Sequence, residues 1–543
     1  MKRTANLLCL LLASVLTATA QQPYVSKVWV ADNGDGTYKN PIIYADYSDP
    51  DVCRAGDDYY MTASSFNCSP GLPILHSKDM VNWTIVNYAL PKQKPYEVFD
   101  LPQHGNGVWA PSIRYHRGEF YIYYGDPDYG IYMLKAEDPR GEWSEPVLVK
   151  EGKGLIDPCP LWDEDGQAYL VHAFAGSRAS MKSVLAVTRM TPDGTKALGE
   201  DRLVFDGHEG NTTIEGPKFH KYNGYYYIFA PAGGVKPGWQ LVLRSKNVFG
   251  PYEHRKVLAQ GGTPVNGPHQ GAWVQTPGGE DWFYHFQDVY EYGRIVHLQP
   301  MKWANGWPVM GVDPDGDGCG EPVLTWKKPN VGGAYPVMTP QESDEFDGLE
   351  LGLQWQWHGN YKPTWAYFAG DKGYMRLFSA VQPEEKPCGN LMDSPNLLLQ
   401  KFPAREFSAV TKVNFRPAGN IEGERAGLLV MGLDYALLSL EQTPEGIVIS
   451  QNECLKADRR GKEQVNASQK LKNGEVWLKV TVRDGGKCRF AYSTDGRKFT
   501  DLGNEFKARE GKWIGAKVGV FCNRPVVSSD GGWLDVDYFR IEK

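Results

Sequence analysis

The length, composition and charge of the chain exclude several classes of protein. Its 543 residues are about three times the length of a typical domain, so we expect two large units. Lys and Arg total 58 against 65 Asp and Glu, and this net charge of -7 offers no basic surface for nucleic acid. Apolar residues at 41% exclude a disordered chain, and 60 Gly with 37 Pro indicate many turns.

The first twenty residues are typical of a secretory signal peptide. Lys2 and Arg3 precede an apolar run at 7–17, and a small-residue cleavage motif ends at Ala20. The apolar run is shorter than the roughly 20 residues that a membrane span needs. We therefore expect residues 1–20 to be removed and the protein to be exported, periplasmic or secreted, with no membrane partner.

The cysteines that follow the signal peptide predict buried thiols. They are scattered, form no Cys-x-x-Cys pair and are too few for a disulfide framework. These eight residues are Cys53, Cys68, Cys159, Cys319, Cys388, Cys454, Cys488 and Cys522.

An aromatic strand recurs five times in the first half of the chain. Each copy follows a turn with glycine, which is typical of the second strand of a hairpin. The five copies lie at 58–61, 120–124, 169–172, 225–229 and 282–286. Repeated small antiparallel sheets predict a five-bladed β-propeller over 27–325. A large β-sandwich is the alternative, but it gives no reason for a nearly equal period.

Polar residues stand at nearly the same place in the first strand of each repeat, 10 to 14 residues before the aromatic marker. They are Asp49, Trp109, Asp157, Glu215 and His269. The innermost strands of a propeller line its central channel. We therefore expect three carboxylates, an indole and an imidazole to share one pocket.

Converging carboxylates suit acid–base chemistry. Charges forced together in a partly dry cavity drive the pKa values of the carboxyl groups apart, which supplies one acid and one base for glycosidic hydrolysis. Asp49 and Asp157 have a second interpretation as turn caps, because each precedes a proline. Their matching positions in the repeat favour the catalytic interpretation, and Glu215 is a poor turn residue.

With these motifs the sequence resembles glycoside hydrolase family 43 over nearly its whole length. The resemblance rests on Asp-Pro at Asp49, Asp-Pro at Asp157 and Glu-Gly-Pro at Glu215. It implies that Asp49 is the general base and Glu215 the general acid, while Asp157 tunes the pKa of the acid and orients it. The family mechanism inverts the anomeric centre, with base and acid about 6.5 to 9.5 Å apart.

The same resemblance implies four substrate-binding residues: Trp109, Arg294, Phe66 and His269. Trp109 and Phe66 can equally be packing residues. His269 has three interpretations: contact to a calcium ion or water on the propeller axis, a hydrogen bond near the sugar, or a core histidine bonded to backbone.

An acidic loop at 313–318 begins like a calcium-binding EF-hand loop. Its acids stand at positions 1, 3 and 5, and glycine stands at position 6. Position 12 is Leu324 instead of glutamate, and no flanking helices are evident. The loop is therefore either a calcium site or a solvated acidic turn, and we assign it no catalytic role.

The second half predicts another all-β unit. A linker with three prolines is expected at 326–341, and alternating strands with glycine turns predict a β-sandwich at 342–543. This unit resembles the concanavalin-like, jelly-roll domain that accompanies one branch of family 43. The resemblance makes Asp344 and Asp537 candidate ligands of a structural Ca²⁺, whereas the chemistry itself requires no cofactor. The three prolines of the linker and the aromatic segment Trp355–Trp357 that follows it predict that the two domains are docked.

The resemblance implies an inverting exo-glycosidase that acts on plant cell-wall oligosaccharides or polysaccharides. Its expected activity is release of terminal α-L-arabinofuranosyl residues from hemicellulose or pectin side chains. An exo-β-1,4-xylosidase is the second interpretation, since the two pentoses present similar hydroxyl groups. A carbohydrate-binding propeller without activity is the third, and the intact set of three carboxylates argues against it.

Overall fold

The computed structural model describes residues 23–543, so the predicted signal peptide lies outside the described residues. None of the helices in this part of the chain is long and apolar enough to cross a membrane. Two single-turn α-helices are present: α1 (Tyr96–Phe99) and α2 (Gly176–Ala179). Short 3-10 turns occur at Tyr290–Tyr292, Pro363–Trp365, Gly370–Lys372, Leu391–Asp393 and Ala457–Arg459.

The first half is a five-bladed propeller. Strand β1 (Thr37–Lys39) precedes the blades, and each blade is a four-stranded antiparallel meander. Blade 1 contains β2 (Asp51–Ala55), β3 (Asp58–Thr62), β4 (Gly71–Ser77) and β5 (Thr84–Leu90). Blade 2 contains β6 (Trp109–His116), β7 (Glu119–Asp126), β8 (Gly130–Ala136) and β9 (Val147–Glu151). Blade 3 contains β10 (Leu155–Trp162), β11 (Ala168–Phe174), β12 (Val184–Met190) and β13 (Ala197–Asp206).

The last two blades repeat this pattern, and the chain then returns to its start. Blade 4 contains β14 (Lys218–Tyr222), β15 (Tyr225–Ala232), β16 (Trp239–Ser245) and β17 (Glu253–Leu258). Blade 5 contains β18 (Trp273–Gln275), β19 (Asp281–Asp288), β20 (Arg294–Ala304) and β21 (Trp307–Met310). Strand β22 (Thr325–Lys327) pairs with β1, and Lys328 next to it forms ion pairs with Asp32 at 2.5 Å and Asp79 at 2.7 Å.

The second half is a sandwich of two eight-stranded sheets. Its earlier strands are β23 (Gln356–Trp357), β24 (Ala366–Phe368), β25 (Met375–Phe378), β26 (Ala380–Val381), β27 (Leu398–Lys401), β28 (Phe407–Arg416), β29 (Arg425–Met431) and β30 (Tyr435–Thr443). Its later strands are β31 (Gly446–Cys454), β32 (Gln464–Lys470), β33 (Glu475–Arg483), β34 (Lys487–Ser493), β35 (Thr500–Asp501), β36 (Phe506–Lys507), β37 (Lys517–Arg524) and β38 (Trp533–Glu542).

The order of strands defines two sheets that enclose an apolar core. Sheet A runs β23-β27-β37-β29-β30-β31-β32, with β26 also paired to β37. Sheet B runs β24-β25-β38-β28-β33-β34-β35, with β36 also paired to β34. Alternate residues of β33 are buried, as expected for a strand with one face on a core. A propeller followed by a β-sandwich confirms the predicted fold class.

The two domains are docked through both backbone and apolar contacts. Ser69 of the propeller and Trp357 of the sandwich exchange two backbone hydrogen bonds, at 3.1 and 2.6 Å. The side chain of Asn360 likewise bonds the backbone of Gln93 in both directions at 2.9 Å. The largest apolar cluster contains propeller residues such as Tyr292 together with the sandwich core. The core is therefore continuous across the domain boundary.

The cysteines agree with the prediction of buried thiols. All eight cysteines in residues 23–543 are free, and six of them are buried. Cys319 and Cys388 are partly exposed.

Candidate active site

The predicted carboxylates line one pocket of about 100 Å³ where the five first strands begin. Residues from all five blades and one residue of the sandwich form its wall. They are Asp49, Phe66, Trp109, Ala110, Ile156, Asp157, Glu215, Val235, Gln270, Arg294 and Trp513. The structure therefore brings together every residue proposed for acid–base chemistry.

At the pocket, each blade has one residue whose backbone is in the left-handed conformation. These residues are Asp49 (φ 54°), Ala110 (φ 37°), Asp157 (φ 57°), Gly216 (φ 58°) and Gln270 (φ 40°). In the first four blades a proline follows this residue. Non-glycine residues in this region carry backbone strain and persist where the surrounding structure holds them.

This backbone feature corrects the alignment of the repeats by one residue. Trp109, Glu215 and His269 each lie one position before the left-handed residue of their blade, whereas Asp49 and Asp157 occupy that position itself. The pairing of the first two strands also shifts register in blades 2 and 3. Glu215 therefore occupies a different position in its repeat than Asp49 and Asp157 do in theirs.

Asp49 is held by a serine and an arginine. Ser64 Oγ donates to Asp49 Oδ2 at 2.6 Å, and an Arg294 terminal nitrogen lies 3.1 and 3.3 Å from the two carboxylate oxygens. The Asp49 side chain is almost fully buried. This ion pair fixes the orientation of a carboxylate that the resemblance makes the base.

A second aspartate connects this ion pair to the sandwich. Asp46 Oδ1 accepts a hydrogen bond from the Arg294 backbone at 2.9 Å, and Asp46 Oδ2 accepts one from the Gly515 backbone at 3.0 Å. Asp46 itself is buried. Residues of both domains therefore position the arginine that pairs with Asp49.

Glu215 holds its proton more tightly than a free glutamic acid does. Burial is the main cause of the raised pKa of Glu215, and the negative charge of Asp157 adds to it. The pKa of Asp157 is likewise raised by burial and by the charge of Asp49, while a 2.7 Å hydrogen bond from the Gly216 backbone opposes that rise. The raised pKa of Glu215 keeps this group protonated at neutral pH, as a general acid requires. About 26% of the Glu215 side chain remains exposed, which leaves it accessible to a leaving group.

His269 lies behind the acid. Its Nε2 is 3.4 Å from Glu215 Oε1, and its ring stacks on Phe286 with 5.3 Å between centroids. Complete burial lowers the pKa of His269 well below its usual range, so the imidazole is neutral. Neither ring nitrogen has a hydrogen-bond partner within residues 23–543, which argues against the backbone-bonded interpretation. Its predicted roles toward an axial ion or a sugar stay predictions, and the adjacent Gln270 lines the pocket instead.

Three aromatic rings pack together in the wall of the pocket. Phe66 and Trp109 pack edge to face at 6.5 Å, and Trp109 packs in the same way against Trp513 at 6.2 Å. Trp513 comes from the sandwich, has φ 64° and is 44% exposed. An exposed aromatic face at the rim of a polar pocket is suited to stacking on a sugar ring.

Sequence reasoning did not propose five residues that line this pocket: Ala110, Ile156, Val235, Gln270 and Trp513. Ala110 and Ile156 are direct neighbours of the predicted Trp109 and Asp157. Gln270 directly follows His269, so the one-residue shift of the repeats would have identified it. Nothing in the sequence around Trp513 connects it with a pocket in the other domain. Val235 follows a pair of glycines and carries no chemical group that would draw attention.

The acidic residues considered for calcium have protein partners. Asp344 accepts hydrogen bonds from Trp355 Nε1 and the Phe346 backbone, both at 2.9 Å, and Asp537 pairs with Lys412 at 2.6 Å. These donors compete with a cation for the same oxygens. Among the described residues, the carboxylates that cluster at metal-ligand spacing belong to the loop at 313–318. Backbone N–H groups of this loop already donate hydrogen bonds to the carboxylate of Asp313. Calcium binding at Asp344, at Asp537 or in this loop stays a prediction.

Comparisons with known proteins agree with this geometry. Residues 38–308 match the model of glycosyl hydrolases family 43, and residues 343–542 match that of the β-xylosidase C-terminal concanavalin A-like domain. A protein of Xylanibacter ruminicola named putative β-xylosidase is 41% identical over 91% of this chain and 88% of its own length. A non-reducing end α-L-arabinofuranosidase of Bacteroides ovatus is 32% identical over 76% of this chain and 78% of its own. The crystal structure of a family 43 protein from Bacillus licheniformis superposes with a TM-score of 0.78 at 27% identity, covering 93% of this chain and 99% of that one.

Replacing Asp157 should move the pH profile in a defined direction. Asp157→Asn removes a negative charge that raises the pKa of Glu215, so Glu215 should lose its proton at lower pH. We expect the alkaline limb of kcat/KM for xylobiose, whose leaving group needs a proton, to shift down by about one pH unit. Asp165→Asn, in an exposed turn, is the matched control. An unchanged alkaline limb in Asp157→Asn would show that the charge of Asp157 does not affect the pKa of Glu215.

Removing the sandwich tryptophan should weaken substrate binding. Trp513→Ala deletes one wall of the pocket, and we expect KM for the same substrate to rise about tenfold, which corresponds to about 1.4 kcal/mol. Trp533→Ala removes a half-buried tryptophan on β38 that lies outside this pocket and serves as the control. Equal KM values for the two variants would exclude Trp513 from the substrate site.

Proposed function

Because the chain belongs to glycosyl hydrolases family 43, we propose that it is an inverting exo-glycosidase that releases terminal β-D-xylosyl residues from plant hemicellulose oligosaccharides. The observation that supports it most directly is one small pocket that contains a proton-retaining Glu215 and an arginine-paired Asp49. A binding propeller without activity would have no need for this combination. The expected signal peptide at 1–20 supports an exported enzyme that meets such oligosaccharides outside the cytoplasm.

The choice of xylose reverses the order expected from the sequence, which placed α-L-arabinofuranose first. The relative with 41% identity has the name of a β-xylosidase, and the C-terminal domain matches a model described for β-xylosidases. The arabinofuranosidase is 32% identical and covers less of the chain. Arabinofuranosidase activity is therefore the second candidate.

The proposed mechanism assigns one proton transfer to each carboxyl group. Glu215 gives its proton to the glycosidic oxygen as the bond between that oxygen and the anomeric carbon breaks. A water molecule attacks the anomeric carbon from the opposite face and transfers its proton to the Asp49 carboxylate. Asp157 keeps Glu215 protonated before the reaction, and Arg294 holds Asp49 toward the water.

The dimensions of the pocket support removal of one sugar at a time. Its volume of about 100 Å³ is small, and its wall includes aromatic rings from both domains. A long groove would be needed to bind the middle of a polysaccharide. An exo-acting enzyme needs only a pocket that admits the end of the chain.

A comparison of two chromogenic substrates tests this proposal. We expect kcat/KM to be higher for 4-nitrophenyl β-D-xylopyranoside than for 4-nitrophenyl α-L-arabinofuranoside. Glu215→Gln should lose about 100- to 10,000-fold on xylobiose but less on the activated nitrophenyl xyloside, because nitrophenolate leaves without a proton. Glu209→Gln, an exposed glutamate, is the control.

The possible outcomes separate the candidates. A higher kcat/KM on the arabinofuranoside would favour the second candidate. Equal losses of Glu215→Gln on xylobiose and on the nitrophenyl xyloside would remove Glu215 from the acid role. Absence of turnover with either chromogenic substrate would favour a binding protein.

A further inference from the structure

Ser64 occupies a buried position between the first two blades. It lies two residues after the end of β3 in blade 1. Its backbone N–H donates to the carbonyl oxygen of Ser48, the residue before Asp49, at 2.9 Å. Ser64 is not among the described residues that line the pocket. It is therefore fixed to the segment that carries Asp49, and it can act on a bound sugar only through another residue.

Two hydrogen bonds fix the direction of the Ser64 hydroxyl group. The backbone N–H of Ala110 in blade 2 donates to Ser64 Oγ at 2.7 Å, and Ser64 Oγ lies 2.6 Å from Asp49 Oδ2. A backbone N–H can only donate, an ionised carboxylate can only accept, and a hydroxyl group has one hydrogen. Ser64 therefore accepts from Ala110 and donates its single hydrogen to Asp49.

Both blades hold this serine in place. Ala110 has φ 37°, a left-handed conformation that a non-glycine residue keeps only where its surroundings hold it. An antiparallel bridge between Phe66 and Val108, with backbone hydrogen bonds of 3.0 and 3.2 Å, joins the same two segments two residues away. The Ser64 hydroxyl group is thus in position before any substrate binds.

Asp49 needs more than one donor to keep its carboxylate in one orientation, because the last side-chain torsion of aspartate has a broad energy profile. Nη1 of Arg294 lies between the two oxygens, 3.1 Å from Oδ1 and 3.3 Å from Oδ2. Ser64 adds a donor at Oδ2 alone. Each carboxylate oxygen has about two acceptor positions. Those of Oδ2 are therefore filled, whereas Oδ1 keeps one for a further donor.

We propose that Ser64 is the positioning residue of the general base, and that it leaves Oδ1 of Asp49 as the atom that takes the proton from water. This inference rests on the proposed function, since it requires Asp49 to be the base. Without the hydroxyl group the carboxylate could turn about its contact with Arg294. A misplacement of about 1 Å can cost about 100-fold in rate. The effect belongs in kcat, because Ser64 does not line the sugar pocket.

Steady-state kinetics of Ser64→Ala test this proposal. We expect kcat to fall about tenfold to 100-fold with KM nearly unchanged. The loss should be the same on xylobiose and on 4-nitrophenyl β-D-xylopyranoside, because water needs its base whatever the leaving group. Ser64→Thr keeps the hydroxyl group and should retain a higher kcat than Ser64→Ala. If Ser64→Ala does not fold, Ser64→Cys replaces it with the same expectations, since a thiol is a weak donor.

The neighbouring Ser65 supplies the matched control. It is also buried, but its Oγ accepts from the Leu72 backbone at 3.0 Å and has no bond to Asp49. Ser65→Ala should therefore keep the wild-type kcat. Four results would overturn the proposal: wild-type kcat in Ser64→Ala, a change confined to KM, an equal loss in Ser65→Ala, or a larger loss on xylobiose than on the nitrophenyl xyloside. The last would connect Ser64 with the acid instead of the base.

Crystal structures of the wild-type chain and of Ser64→Ala give a readout that needs no turnover. We expect the Asp49 carboxylate to change its orientation in the variant while Arg294 stays in place. An unchanged carboxylate would overturn the positioning role. A wild-type protein inactive on every pentoside would refute the proposed glycosidase instead, so the two failures are distinguishable.

Discussion

Three carboxylates lie together in one pocket at the end of the propeller, and shielding them from water determines which groups must surround them. Burying an acid costs free energy unless it is paired, hydrogen-bonded or protonated. Each of the three has a different solution: Arg294 pairs with Asp49, the Gly216 backbone donates to Asp157, and Glu215 retains a proton. Because these solutions differ, Asp49 is suited to the role of the base and Glu215 to that of the acid.

The second domain completes this arrangement. The Gly515 backbone bonds Asp46, which in turn holds the backbone of the arginine that pairs with Asp49. Trp513, two residues earlier, lines the pocket. One short segment of the sandwich therefore both supports the ion pair and closes the pocket. The active site is complete when the two domains are docked.

Much of the fold could be predicted from the sequence, because it depends on local patterns. Aromatic strands after glycine turns recur with a nearly equal period, which identifies five blades, and the Asp-Pro and Glu-Gly-Pro motifs mark the carboxylates. The alignment of the repeats was off by one residue at Trp109, Glu215 and His269, because a left-handed backbone conformation has no signature in residue spacing. Trp513 could not be found at all, since its backbone meets Ser48 across 465 positions of sequence. The choice between two pentoses depends on individual hydroxyl contacts that no motif encodes.

In the proposed mechanism, Asp49 activates a water molecule while Glu215 protonates the leaving group. Proton NMR of the anomer that forms first from 4-nitrophenyl β-D-xylopyranoside tests this mechanism. We expect α-D-xylopyranose, the inverted product, before mutarotation mixes the anomers. Initial formation of β-D-xylopyranose would contradict it, because retention requires a carboxylate that attacks the sugar itself.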